Sequence, residues 1–127
     1  MIELDIPGLG QLSIQHIVMD YNGTLAVDGF LLDGLASLLT TLAERVDLHV
    51  ITADTFGRAA RQLAGLPCRL TILPATDHAQ AKRAYLCELG PERCVAIGNG
   101  RNDRLMLEEA AIGILPEDKK KFNVDKW

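Results

Sequence analysis

The residues best equipped for chemistry in this sequence are an acid at 20, a threonine at 52, an isolated lysine at 82 and a polar cluster at 98–103. Residues 18–26 read VMDYNGTLA: Asp20 ends an apolar run, Asn22 follows two positions later, and Gly23-Thr24 opens a turn. A carboxylate at the mouth of a strand, beside a flexible turn, suits the handling of phosphate and metal, because hard cations take oxygen ligands and a carboxylate can attack phosphorus. Thr52 and Asp54 follow a second apolar run, and Lys82 is the only lysine before residue 119. Taken singly, each has an ordinary explanation: a turn residue, a satisfied loop amide, a solvated amine, a tight GNG turn. Four such features in one order along the chain are much harder to attribute to chance. The run GNGRND is not a dinucleotide fingerprint, because its sixth position is Asp103 and it follows the wrong strand.

The elements that must position these residues are legible from periodicity. Residues 1–14 alternate loosely around PGLG and read as a β-hairpin. From residue 16 strand and helix signals alternate. HIVMD is a strand ending at Asp20, and Asp33 is placed to cap a helix carrying Leu35, Leu38, Leu39 and Leu42. DLHVIT is a second strand, followed by a helical stripe of Phe56, Ala59, Ala60 and Leu63 that Gly65 and Pro67 stop. CRLTIL is a third strand, and Asp77 is placed to cap a helix with Ala81, Ala84, Tyr85 and Leu89. RCVAIG, NDRLMLEEA and IGIL give a fourth strand, a fourth helix and a fifth strand. Strands that alternate with helices specify βαβ units, so the expected fold is a doubly wound three-layer α/β sandwich with a parallel sheet. Ligands of such sheets bind beyond the carboxyl ends of the strands, where the strand order reverses. Asp20, Thr52, Asp54 and GNGRND all fall at such ends, and Lys82 lies in the first turns of the helix that leads into the fourth strand.

Asp-x-x-Gly-Thr at 20–24, Thr52, the lone Lys82 and Gly-x-Gly-x-Asn-Asp at 98–103 together resemble the four motifs of the haloacid dehalogenase (HAD) superfamily. Within it, ITADTFGRAARQLAGL and AIGNGRNDRLMLEEAAIGI resemble the phosphorylation domain of P-type ATPases, and the chain is most similar to the soluble P-type ATPase-like group. The resemblance covers about residues 16–115. It implies that Asp20 forms an aspartyl phosphate and that Thr52 and Lys82 bind the phosphoryl oxygens. It further implies a Mg²⁺ cofactor held by Asp20, the backbone carbonyl of Asn22, Asn99 and Asp103. Gly23 permits the turn and Thr24 helps to hold the loop; both, with Asp54 and Asn102, are the expected substrate contacts. Phosphatases of the superfamily usually carry a second Asp where this chain has Asn22, and that acid protonates the leaving group and later activates water. An amide does neither, and general acid–base catalysis is worth about 10²–10⁴-fold. The expected enzyme is therefore a phosphohydrolase or phosphotransferase that is slow or restricted to good leaving groups. Asn99 stands where the pattern usually has a metal-binding Asp, which weakens the expected hold on Mg²⁺. Two other readings remain: a degenerate domain that binds phosphate, Mg²⁺ or a protein without turnover, and a receiver domain. The receiver fits poorly, because its phosphoryl acceptor would follow the third strand, which here ends LTILPAT.

The 127 residues suit one domain, placed at 1–116, with residues 117–127 as an atypical Lys-rich tail holding four of the five lysines. An apolar fraction of 48% with 24% charged residues and a net charge of −4 is the composition of a globular protein and argues against a nucleic-acid surface. The first ten residues lack the basic flank and apolar core of a signal peptide, and no apolar run approaches the roughly 20 residues of a membrane span. Three cysteines without a CxxC pair read as reduced thiols of a cytoplasmic protein. Only YNGTLAVDGFLL separates the first strand from the first helix, too little for a cap domain. The expected site is thus open, its partner a small phosphorylated molecule or a phosphoprotein, and a second copy of the chain is one way to cover it.

Overall fold

A computed structural model describes residues 1–27, 29–53 and 57–116. Its strands are β1 (Ile2–Ile6), β2 (Gly10–Ile14), β3 (His16–Asp20), β4 (Ala26–Val27), β5 (Phe30–Leu31), β6 (Asp47–Thr52), β7 (Arg69–Ile72), β8 (Cys94–Ile97) and β9 (Ile112–Ile114). The helices are α1 (Leu35–Leu42), α2 (Arg58–Gln62), α3 (His78–Leu89) and α4 (Arg104–Glu109), with short 3-10 turns at Pro91–Arg93 and Arg101–Asp103. Five strands form one parallel sheet in the order β7-β6-β3-β8-β9. The chain builds outward from β3 in one direction through β6 and β7, then crosses back to add β8 and β9 on the other side. The strand order therefore reverses between β3 and β8, and a crevice opens at their carboxyl ends.

The three-layer expectation holds. Alternate side chains of a strand point to opposite faces, and both faces of this sheet are covered. Ile17, Met19, Leu48 and Val50 pack with Leu39 of α1 and Ala59 of α2. Val18, Ile51 and Ala96 pack with Leu86 of α3 and Met106 of α4. Strands buried on both sides have no polar face to show, which is why HIVMD and DLHVIT read as nearly unbroken apolar runs. The β1–β2 hairpin pairs Ile2 with Ile14 in antiparallel register and stands apart from the main sheet.

Several local expectations are corrected. Neither Asp33 nor Asp77 caps a helix with its side chain. The N-cap of α1 is Gly34, and Asp77 adopts a left-handed φ of 56°, leaving its backbone carbonyl to accept Ala81 N–H at 3.1 Å. In α1 only Leu39 is fully buried, and Leu38 is 51% exposed, because an eight-residue helix lies against the sheet along a narrow stripe. In α3 the buried positions are Lys82 and Leu86 rather than Ala81 and Ala84. A charged residue on the inner face is invisible to apolar periodicity. Between β3 and α1, β4 and β5 pair in antiparallel register, Ala26 with Leu31 and Val27 with Phe30, an addition to the expected strands. Phe56 of the second helical stripe lies outside the described residues, and so does the tail 117–127. No helix among the described residues is long and apolar enough to cross a membrane.

Candidate active site

Asp20 is the last residue of β3, Thr52 the last of β6, and residues 98–103 follow β8, so three strand ends deliver polar groups to the crevice. Asp20, Asn22, Thr52, Lys82, Asn99, Asn102 and Asp103 line a cavity of about 470 Å³ there. A larger cavity of about 580 Å³ lies at the amino-terminal edge of the sheet, around His16, His49 and Arg69, and holds none of these residues.

The floor of the crevice is an ion-pair triad. Lys82 Nζ donates to Asp20 Oδ1 at 3.0 Å and to Asp103 Oδ1 at 2.5 Å. Lys82 is 2% exposed and Asp103 1% exposed. Charges so deeply buried persist only when paired and hydrogen-bonded. Asp103 meets both conditions, because its other oxygen, Oδ2, accepts the backbone N–H groups of Asn99 and Gly100, each at 3.0 Å. It thus ties the loop after β8 to the lysine of α3. Gly98 makes this possible: a Cβ there would collide with the Asp103 carboxylate.

Burial raises the Asp20 carboxyl above its ordinary value of 3.8, the Asp103 charge pushes it further, and the Lys82 ammonium pulls it back. The Lys82 ammonium is thus the counter-charge that favours the ionised form of a partly desolvated carboxylate.

The turn after Asp20 is closed by backbone bonds. The N–H groups of Thr24, Leu25 and Ala26 donate to the Tyr21 carbonyl, and Gly23 N–H donates to Ala26 O at 2.8 Å. The Asn22 carbonyl takes no part in closing it. Gly23 has φ 81°, and the Asn99 side-chain amide rests where a Cβ would stand, so a larger residue there would push the two loops apart. Gly23 and Thr24 lie outside the cavity lining. Thr24 joins the turn through its backbone, and its Oγ1 is buried with no partner among the described residues. Asp54 lies outside the described residues.

The donor set suits a hard cation in type but is short of charge. Asp20, Asn22 and Asn99 line the cavity and carry the oxygen atoms a cation would take. Asp103, expected as a metal ligand, has both oxygens engaged by Lys82 and loop amides and serves here as a structural anchor. No cluster of three or more His, Cys, Asp or Glu able to hold a metal occurs among the described residues. The ionisable lining residue outside the sequence expectations is His78, the first residue of α3, one helical turn before Lys82. The i, i+4 spacing from Lys82 was the available signal.

No family model matches the sequence. An uncharacterized protein of Methanocaldococcus jannaschii is 44% identical over 39 residues, which cover 31% of this chain and 89% of that protein. Among solved structures, the chain is similar to the cobalt-bound deoxy-D-mannose-octulosonate 8-phosphate phosphatase of Haemophilus influenzae, with 15% identity and a TM-score of 0.65 over 80% of this chain and 67% of that one. It is also similar to the 3-deoxy-D-manno-octulosonate 8-phosphate phosphatase of Moraxella catarrhalis, solved with magnesium, phosphate and the sugar acid. There the identity is 20% and the TM-score 0.57 over 76% of this chain and 64% of that one. The chain spans about two thirds of the length of these proteins. At such identities the likeness is one of fold, and the sheet with its helices matches the HAD-like α/β fold.

Proposed function

We propose, for a chain that belongs to one family with that uncharacterized archaeal protein and has the HAD-like fold, that it is a phosphohydrolase or phosphotransferase working through an aspartyl phosphate on Asp20. The observation that carries this reading is the Lys82 ammonium, buried at the strand-order reversal and shared between Asp20 and Asp103. A lysine seldom sits in such a place without a partner or a task. Here it supplies the counter-charge to a carboxylate at the floor of an open cavity.

In the proposed reaction an Asp20 oxygen attacks phosphorus in line as the bond to the leaving group breaks, and water later returns the carboxylate. Thr52 and Lys82 bind the phosphoryl oxygens, with Asn102 at the rim of the lining. Mg²⁺, held by Asp20, the Asn22 carbonyl and Asn99, would supply charge neutralisation for the phosphate. The phosphatases of the same fold that were solved with magnesium or cobalt support divalent-metal use. Asn22 cannot act as acid or base, so unless another side chain carries the proton, turnover is slow or favours leaving groups that depart without one.

The finer assignment to the soluble P-type ATPase-like group rests on residues 51–66 and 96–114. A cytoplasmic location rests on three free cysteines, Cys68, Cys87 and Cys94. The proposed substrate is a small phosphorylated molecule or a phosphoprotein, and a second copy of the chain is a further means of covering the open site. Beryllium fluoride with Mg²⁺ tests the reading directly, since it mimics a phosphorylated aspartate. Binding is expected to wild type and to be lost in Asp20→Asn, together with all phosphoryl transfer. Equal turnover in wild type and variant overturns the enzyme reading. Asn22 and Asn99 favour a second reading, a domain that binds phosphate without turnover; phosphate binding with neither beryllium fluoride capture nor hydrolysis would select it.

A further inference from the structure

We infer that His78 is the proton donor and acceptor of this site, filling the role that Asn22 cannot. The inference rests on the phosphoenzyme reading above. His78 lines the same cavity as Asp20 and Lys82. It opens α3, so it stands at the carboxyl edge of the sheet, half-buried, while Lys82 lies one turn deeper and fully buried. Four residues along a helix advance about 6 Å on one face. Lys82 Nζ touches the Asp20 carboxylate at the floor. The histidine therefore stands above the nucleophile, towards the open mouth. In-line displacement sends the leaving oxygen to the side of phosphorus opposite Asp20, which is that side.

The ring is also held in a usable tautomer. His78 Nδ1 lies 3.0 Å from the Pro74 carbonyl. A carbonyl only accepts, so Nδ1 carries a proton in both charge states, and the proton that comes and goes is the one on Nε2. The charged groups lining the cavity with it are Asp20 from β3, Lys82 from α3 and Asp103 from the 3-10 turn. Lys82 is committed to the two carboxylates, which leaves the imidazole outside the ion-pair triad, with Nε2 able to give or take a proton.

The step balances. An Asp20 oxygen bonds to phosphorus, the bond to the leaving oxygen breaks with its electron pair on that oxygen, and the oxygen takes the Nε2 proton. Water then attacks the aspartyl phosphate, the phosphorus–Asp20 bond returns its pair to the carboxylate, and the water proton passes to Nε2. Imidazolium and carboxylate are restored.

Two variants separate this role from a merely structural one. His78→Asn can keep the donation to the Pro74 carbonyl but lacks Nε2, and His78→Gln places an amide nearer the Nε2 position. Both are compared with wild type on an alkyl phosphate and on acetyl phosphate, with kcat measured from pH 5 to 9. The expected result is a fall of about 10²-fold on the alkyl phosphate, the lower end for general acid catalysis. Change on phosphoenzyme formation from acetyl phosphate should stay below about 3-fold, because an acyl phosphate leaves as a weak base, and the alkaline limb of the alkyl-phosphate profile should vanish in both variants. Equal loss on the two substrates, full rescue by Asn, or an unchanged alkaline limb overturns the inference. A wild type that turns over acetyl phosphate but no alkyl phosphate overturns it too, while leaving the phosphoenzyme standing. Failure of both substrates, with no Asp20-dependent phosphoenzyme, overturns both readings.

Discussion

Replacing Lys82 by Met keeps most of the side-chain volume and removes only the charge, so the variant isolates the ion-pair triad. The wild-type ammonium sits 3.0 Å from Asp20 and 2.5 Å from Asp103, with Asp103 1% exposed. Removing one partner of a buried pair costs about 3–5 kcal/mol, because the remaining charge stays desolvated. Asp103 keeps two backbone donors at 3.0 Å and Asp20 is less deeply buried, which places the expected loss near the low end, about 3 kcal/mol. Domains of this kind have about 5–15 kcal/mol to lose, so the variant should fold. With an unfolding entropy of about 2.1 cal/mol/K per residue, the loss corresponds to a drop of roughly 12 °C in Tm. The pH dependence has a definite sign. In the variant the carboxylates lack their counter-charge, so protonation is favoured and relieves the penalty. The stability gap between wild type and Lys82→Met should therefore narrow as pH falls from 8 to 5, and adding Asp20→Asn to the variant should recover part of it at pH 8. Urea denaturation of the three proteins at both pH values measures this. A gap below about 1 kcal/mol at pH 8, or one that widens towards pH 5, would refute the claim that the buried ammonium holds two charged acids.

In the His78→Asn background, Asn22→Asp is expected to raise kcat on an alkyl phosphate by about 10²-fold at saturating Mg²⁺ and to change phosphoenzyme formation from an acyl phosphate much less; an unchanged ratio between the two rates would count against position 22 as a place from which an acid can serve the leaving group. Asn99→Asp, which adds an anion beside the Asn22–Gly23 turn, should tighten Mg²⁺ binding in a calorimetric titration, and equal or weaker binding would remove Asn99 from the metal. Far from the site, His49 is 3% exposed and contacts His16 at 3.1 Å and the Tyr85 hydroxyl at 2.8 Å. Burial first, then the charges of His16 and Arg69, lower it from 6.5 to about 4. A lowered folded-state pKa contributes stability present above pH 6.5 and lost as pH falls towards 4, about 2 kcal/mol of it by pH 5. His49→Gln should flatten the stability profile over pH 7.5–5 by that amount, and parallel profiles would show that His49 is not held neutral.

The sequence by itself determined the order of strands and helices and the three-layer sandwich. It also placed Asp20, Thr52 and residues 98–103 at strand ends. These depend on local patterning: an apolar run buried on both faces, a turn after it, a helix behind the turn. It did not reveal that Lys82 is buried, because an inner-face lysine breaks the apolar stripe that marks a helix as packed. Its burial is decided by Asp20, 62 positions earlier, and Asp103, 21 positions later, which meet it only once β3 and β8 are neighbours in the sheet. The work of Asp103 was likewise decided in three dimensions. The motif suggests a metal ligand, but two backbone amides and the lysine take up its oxygens, and Gly98 is small enough to let that carboxylate in. His78 came into view the same way: on paper a polar residue at a helix start, in the fold a ring in the wall of the cavity that holds Asp20. Pattern along a chain records which face of an element is apolar. Which polar groups converge depends on strand order, and strand order is set by the packing of the whole sheet.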